Sequence, residues 1–383
     1  MGSSNLVVVL LIIGVFLGCC LAGYVLMVLR ATHAFIYKDT PGLQPGSVSP
    51  TISVIVAARN EEDNIEACIR SICQQNYNQD LWELILIDDR SQDHTREVAF
   101  RVLQDYPLVK ARVLSATGEG KKSAIDQGVR QATGEWILQT DADCEVKKDW
   151  LLSMSRWMTP ENGFISGPIE LLPGKPWIER LQAIETLGLV TLGAGSLLAG
   201  FPNMANGANM AYRRALFICL GGFQHSIKVA SGDDEFLLQA IEAEGTYRLA
   251  FAHTYEAVVS TSPLPDWASL RRQRLRWVSK ARSYVNRRTN AIQAMSWLGF
   301  LSFPWWLALG FCYPWAWGIF GGMVVVKIMA DHWLMKSGAK FLHRLPWLQW
   351  LWLLELVYVP YVLWIGVAGN LTTSYRWKDR VVS

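Results

Sequence analysis

Two aspartates one residue apart close a run of strand-forming residues at Trp136-Ile-Leu-Gln-Thr-Asp141-Ala-Asp143-Cys-Glu145. Such a run predicts a buried parallel strand that delivers Asp141 and Asp143 at its C-terminal end, where open α/β sheets bind ligands. On extended chain the two side chains point to opposite faces, so a turn at Ala142 is needed to bring both to one hard cation. Magnesium or manganese, held by one or two carboxylates with substrate phosphates in its other positions, is the chemistry this pattern suits. Asp-x-Asp alone also describes a solvated turn after a strand, and only its neighbours separate the two readings.

Further charged groups sit at comparable places. Leu84-Ile-Leu-Ile87 runs into Asp88-Asp89-Arg90-Ser91, whose bland reading is an Asx turn. Gly118-Glu-Gly-Lys121-Lys122 opens a helix through Ala132; Lys121 can meet a phosphate as a point charge, and Lys122 reads as solvated. Asp233-Asp234-Glu235 precedes Phe236-Leu-Leu as an acidic helix start. Residues 266–288 interleave Arg271, Arg272, Arg274, Arg276, Lys280, Arg282, Arg287 and Arg288 with apolar positions at helical spacing. That is the pattern of a helix on an anionic membrane surface, and for most of these arginines the solvated role suffices. A nucleic-acid surface has similar composition, but the hydrophobic segment that follows sets it aside.

The elements that position these groups alternate. Ile52-Ser-Val-Ile-Val-Ala-Ala58 reads as a central strand. Asn60 is placed to cap the next helix, with Glu61, Glu62 and Asp63 in its first turn and Ile65, Cys68, Ile69 and Ile72 on one face. The strands ending at Ile87 and Asp141 complete a strand–helix–strand–helix–strand order, the βαβ pattern of a nucleotide-binding sheet.

In that order, Ser53-Val-Ile-Val-Ala-Ala-Arg-Asn60-Glu61, Asp88-Asp89-Arg-Ser91, Gly120-Lys121-Lys-Ser-Ala124, Asp141-Ala-Asp143, Gly207-Ala-Asn209-Met-Ala-Tyr-Arg213, Gly232-Asp233-Asp234 and Gln273-Arg-Leu-Arg276-Trp277 resemble glycosyltransferase family 2. The resemblance covers roughly residues 51–288, and the last motif is similar to the Q-x-x-R-W of membrane-bound members such as ceramide glucosyltransferase and the cellulose, chitin and hyaluronan synthases. It implies a GT-A fold, α/β with a Rossmann-like mixed sheet, on the cytosolic side, joined to transmembrane α-helices. It implies Mg2+ or Mn2+ on Asp143 with Asp141, and a nucleotide-sugar donor, a UDP-sugar, seated by Asp88, Asp89, Lys121, Asp141 and Arg276. Asp234 would be the general base, Asp233 beside it tending to raise its pKa. Asp233, Gln273, Trp277 and Asn209 would lie on the acceptor side. Gly232-Asp233 stands where many relatives have Thr-Glu, which bears on acceptor choice, and Asp126 stands where Asn is common.

The membrane segments follow from hydropathy. Residues 6–29 are almost wholly apolar and lack the basic start and small-residue cleavage site of a signal peptide, so 1–30 reads as a retained anchor. Arg30 and Lys38 after it place the next domain in the cytosol, the arrangement of a bacterial cell-membrane enzyme. A linker at 31–50, a catalytic domain at 51–264, an amphipathic interfacial helix at 265–290, three further spans within 291–370 and a tail at 371–383 complete the organisation. Residues 186–201 are uncharged but short for a span and read as a buried or interfacial segment near the acceptor. Four spans would put the basic tail outside; merging 297–326 into one tilted span would bring it inside. The seven cysteines form no Cys-x-x-Cys or Cys/His cluster and read as reduced packing residues.

These features point to a metal-dependent inverting enzyme that adds one sugar to a membrane lipid or lipid-linked acceptor. A processive polysaccharide synthase, for which oligomerisation could supply missing helices, and an inactive nucleotide-sugar-binding scaffold are the alternatives. No nucleic-acid partner is expected.

Overall fold

The computed structural model describes residues 3–37, 49–224, 232–279 and 286–371, with the backbone of 375–377 and 380–382. The chain enters on α1 (Ser3–Tyr37) and alternates through β1 (Ile52–Ala58), α2 (Ile65–Cys73), β2 (Trp82–Asp88), α3 (Thr95–Leu103), β3 (Ala111–Ser115), α4 (Lys121–Gln131) and β4 (Trp136–Asp141). Next come β5 (Cys144–Val146), α5 (Trp150–Ser155), β6 (Asn162–Ser166), β7 (Ile169–Leu171), α6 (Trp177–Leu198), β8 (Met210–Arg213) and α7 (Arg214–Cys219). The domain ends with α8 (Asp233–Glu244), β9 (Arg248–Phe251) and β10 (Val259–Thr261). Helices α9 (Trp267–Ser279), α10 (Arg287–Cys312), α11 (Ala316–Phe341) and α12 (Leu351–Leu371) follow, then a small hairpin of β11 (Tyr375–Trp377) and β12 (Arg380–Val382).

The main sheet has seven strands in the order β3-β2-β1-β4-β8-β6-β9, with β8 antiparallel to both neighbours. Strands β1 to β4 are parallel; β1, β2 and β4 are buried on both faces, which is why they read as continuous apolar runs, whereas β3 at the edge of the sheet is only partly buried. Their side chains divide by strand period: Ile52, Val54 and Val56 face α2 and α3 with Leu84, Leu86, Trp136 and Leu138, while Ile55 faces α4 with Ile85, Ile87 and Ile137. Register pairs Ala57 with Asp141 and Ala58 with Asp88, so the acids gather at one edge of the sheet. The smaller sheet β5-β10-β7 frames that edge.

Two local expectations are corrected. Asn64, not Asn60, precedes α2; Asn60 takes a left-handed φ of 50° and its Oδ1 accepts from the Gln92 amide at 2.8 Å. Residues 31–37, read as linker, continue α1: Phe35 packs on Phe251, His253 and Phe341, locking the helix into the domain core. Residues 38–48 of that linker lie outside the described residues.

Among the described residues, five helices are long and apolar enough to cross a membrane, α6 among them, although most of α6 is buried inside the protein. Its 22 residues exceed the short segment read from the sequence, because residues 177–185 extend the helix upstream of the uncharged stretch. Helices α10 and α11 are separate, broken at Tyr313, so residues 297–326 are not one span. Within the helical bundle, Lys327 pairs with Asp331 and with Glu355 of α12, each at 2.6 Å, and Tyr24 of α1 donates to Asp331. A lone lysine at this depth would be costly, and the two carboxylates offset that cost.

Candidate active site

The acidic edge of the sheet opens into a cavity of about 340 Å³. Lys121, Asp141, Asp143, Asp233 and Asp234 line one side; Gln273, Arg276 and Trp277 of α9 close another; Leu189, Val190 and Ala194 of α6 form an apolar wall.

Three elements converge on Lys121. Its ammonium lies 2.6 Å from Asp141 at the end of β4 and 3.4 Å from Asp233 at the start of α8. Gly120 and Gly232, which precede α4 and α8, take left-handed φ of 89° and 84°, conformations that favour glycine, and so turn both helix starts into the site. Gln139 of β4 donates to Asp233 at 2.8 Å and to the Gly207 carbonyl at 3.2 Å. A Cβ on Gly207 would stand 3.0 Å from the Asp233 carboxylate, so the loop before β8 comes this close only as glycine. Burial alone would raise the Asp233 pKa, but the Lys121 charge and the Gln139 hydrogen bond outweigh it and hold it below the usual carboxylate range. For Lys121 burial works to lower the pKa, and the charges of Asp141 and Asp233 win and raise it. The negative charge expected to act on Asp234 is therefore engaged by Lys121.

Asp234 accepts from the Gly207 amide at 3.1 Å and from the Glu235 amide at 2.8 Å, which fixes its carboxylate at the cavity wall. Asp141 and Asp143 flank the turn at Ala142; the Asp143 carbonyl is pinned by the Thr261 hydroxyl at 3.1 Å. Behind the turn, burial raises the pKa of the Cys68 and Cys144 thiols, and the Asp143 and Asp141 charges add to it, so both are inert packing groups. All seven cysteines are free. The two aspartates suit a hard divalent cation, being oxygen donors on one cavity wall. Among the described residues no cluster of three His, Cys, Asp or Glu forms a cage, so other positions would fall to phosphate or water.

Asp88 and Asp89 stand back from this cavity. The Asp88 carboxylate accepts from the Ser91 amide at 3.3 Å, closing the Asx turn. Asp89 is buried, with Oδ2 accepting from the Gly120 amide at 3.1 Å, and Arg59 holds its carbonyl at 2.7 Å. In this geometry Asp89 shapes the turn that presents Lys121. Asn209 was expected on the acceptor side and is corrected: it is fully buried, donating to the Pro168 and Ala257 carbonyls and accepting from the Trp150 indole. Three bonds consume its amide, so it ties β8 to the second sheet. Lys122 is likewise not solvated; it is buried with its ammonium 4.5 Å from the Phe236 ring centre.

Sequence reasoning missed Arg274. Amid a basic helix it carries no distinguishing signal, yet it is buried and paired with Glu185 of α6 at 2.7 Å. Helix α9 is also more than a surface helix, because Trp267, Arg271 and Arg274 pack on Tyr361 and Trp364 of α12.

The mixed sheet, with its acidic edge and the apolar helices that follow, is a GT-A-like fold. Residues 53–221 match the family described as Glycosyl transferase family 2, and the chain carries a domain of that family. It is 25% identical over 236 residues to glycosyltransferase AglE of Haloferax volcanii, covering 60% of this chain and 72% of that one. To the beta-monoglucosyldiacylglycerol synthase of Trichormus variabilis it is 29% identical over 183 residues, 46% of this chain and 39% of the other. To the poly-beta-1,6-N-acetyl-D-glucosamine synthase of Staphylococcus aureus it is 24% identical over 173 residues, 44% and 41% of the two chains. Taken together, the chain spans about half the length of the curated relatives it matches. The mannosyltransferase PcManGT of Pyrobaculum calidifontis, solved with GDP-Man and Mn2+, shares the fold: TM-score 0.61, 20% identity, 94% of this chain and 99% of that one.

Proposed function

We propose that this chain is a metal-dependent inverting glycosyltransferase that moves one sugar per encounter from a nucleoside-diphosphate sugar, a UDP-sugar, to a membrane lipid or lipid-linked acceptor. The observation that carries this reading is a single cavity with carboxylates and Lys121 at one end and the apolar face of α6 along its side.

Asp234 takes the proton from the acceptor hydroxyl as its oxygen attacks the anomeric carbon; the two backbone amides that it accepts from hold one carboxylate geometry. A single displacement inverts configuration, so an α-linked donor yields a β-glycoside. Asp143 and Asp141 would hold the divalent cation, which stabilises charge on the departing diphosphate. Lys121 and Arg276 contribute positive charge to the same cavity, and the Arg276 guanidinium matches phosphate geometry. Asp88 and Asp89 act on the nucleotide side by holding the β2 and Gly120 turns in place. Gln273 and Trp277 face the acceptor, and leucine, valine and alanine of α6 offer an acyl or polyprenyl chain a dry wall.

The catalytic domain sits on the cytosolic face, with α1, α10 and α11 in the bilayer. The relative named a lipid synthase and the relative named a polymer synthase mark the two acceptor classes, and the α6 wall favours the lipid. Labelled donor is fed to membranes with manganese or magnesium, using UDP-sugars and GDP-mannose in parallel, and the product is extracted with organic solvent. Label in one small, extractable glycolipid is expected; label in a high-molecular-weight, glycosidase-sensitive polymer overturns the acceptor assignment in favour of a processive synthase.

A further inference from the structure

Arg274 lies inside the Gln273–Trp277 segment and is held on several sides. It is 5% exposed. Its guanidinium donates to Glu185 Oε2 at 2.7 Å, to the Tyr361 hydroxyl at 3.2 Å and to Gln273 Oε1 at 2.8 Å, and it lies 4.1 Å from the Trp277 ring centre. One side chain thus gathers α6, α9 and α12 and touches Gln273 and Trp277, which line the cavity together with Arg276 and the inner edge of Arg274 itself.

A guanidinium has five donors and no acceptor, so only the carbonyl oxygen of Gln273 can face it. The amide NH2 of Gln273 is thereby the group left for a ligand. Stacking on the guanidinium likewise fixes the plane of Trp277. Glu185 supplies the opposite charge without which a buried guanidinium would leave this position.

We propose that Glu185 and Arg274 are positioning residues that hold Gln273 as a hydrogen-bond donor beside the flat face of Trp277. An amide donor next to an aromatic face suits the polyol oxygens and C–H face of a sugar or glycerol headgroup, so the pair sets acceptor recognition. The inference rests on the glycosyl-transfer reading and deepens its acceptor side.

The deciding variant is Gln273→Glu. A carboxylate still accepts from Arg274 but has no proton to donate, so packing survives and the ligand contact is lost. Transfer is measured on the full-length protein with vesicles of total membrane lipid as acceptor, alongside release of nucleoside diphosphate from donor with water alone. Gln273→Glu should raise the apparent KM for lipid about tenfold, the scale of one hydrogen bond in a dry site. Glu185→Leu should do the same where it folds, and combining it with Gln273→Glu should add little further loss, because both act on one amide. Glu185→Gln, which still accepts from Arg274, should keep most of the wild-type lipid KM. An unchanged lipid KM in Gln273→Glu, or a folded Glu185→Leu protein in which the donor KM rises and the water reaction slows in step with transfer, overturns the assignment. Wild-type protein that moves no sugar to lipid while still releasing nucleoside diphosphate overturns the acceptor reading itself.

Discussion

Replacing Lys121 by methionine removes the one ammonium that Asp141 and Asp233 share while keeping its length. The contacts are 2.6 and 3.4 Å, and the side chains of Lys121, Asp141 and Asp233 are 24%, 32% and 9% exposed. Breaking a fully buried pair costs about 3–5 kcal/mol, whereas an exposed pair is worth about 0–1 kcal/mol. With Lys121 and Asp141 a quarter to a third in solvent, the expected loss is about 2 kcal/mol, or a fall in Tm of about 4–8 °C for a domain of this size. The pH dependence follows from the two shifts. Asp233 titrates below its unfolded value, so its contribution is present above about pH 4 and is lost as pH falls through the folded pKa. Lys121 titrates above its unfolded value, so its contribution is present below about pH 10 and is lost only as pH rises through the folded pKa. The deficit of Lys121→Met should therefore be flat from about pH 5 to 9 and close as pH drops below about 4, where the carboxylates of both proteins protonate. Thermal melts of detergent-solubilised protein followed by tryptophan fluorescence across this range give the answer. Equal Tm at pH 7, or a deficit unchanged at acid pH, would refute the argument that Lys121 is held by these two carboxylates.

Asp234→Asn should cut transfer by about 10²–10⁴ with donor still bound, measured by steady-state kinetics beside equilibrium donor binding; loss of donor binding at unchanged residual turnover removes Asp234 from the base role. Chelation, or Asp143→Asn, should lower turnover by about two orders of magnitude or more; activity that withstands the chelator shows that no divalent cation acts through Asp141 and Asp143. Asn209→Ala strands a buried indole donor and two carbonyls and should destabilise by about 1–3 kcal/mol while leaving the acceptor KM of the folded protein unchanged; a selective acceptor defect would restore Asn209 to the acceptor side. Helix α12, with Pro360 inside it, runs along α9: a side chain on Gly369 would meet Val278, one on Gly366 would meet Trp297, and β11 lies against α9. A reporter fused after Ser383 should therefore read on the catalytic domain's side, together with the basic stretch at 336–344; an external reading would show that α12 crosses the bilayer as a fourth span.

Local pattern carried the parallel strands and the apolar face of α2, because a strand buried on both faces must be continuously apolar and a half-buried helix must repeat at its own period. It also carried the position of Asp88 and Asp141 at strand ends, since each run of strand formers stops at the acid. Charge partnership was beyond it. Lys121 and Lys122 are adjacent and alike, yet one reaches the cavity acids and the other is buried near Phe236, an outcome set by where α4 sits on α8. Arg274 and Glu185 lie 89 positions apart, and nothing in either neighbourhood marks them as partners. Asn209 shares a motif with cavity residues but points into the fold, since β8 turns its side chain toward Trp150. Which charges are buried, and against what, depends on how helices from distant parts of the chain meet. Only the tertiary structure decides that, because the cost of burying a charge is met by a specific partner, whereas apolar burial needs none in particular.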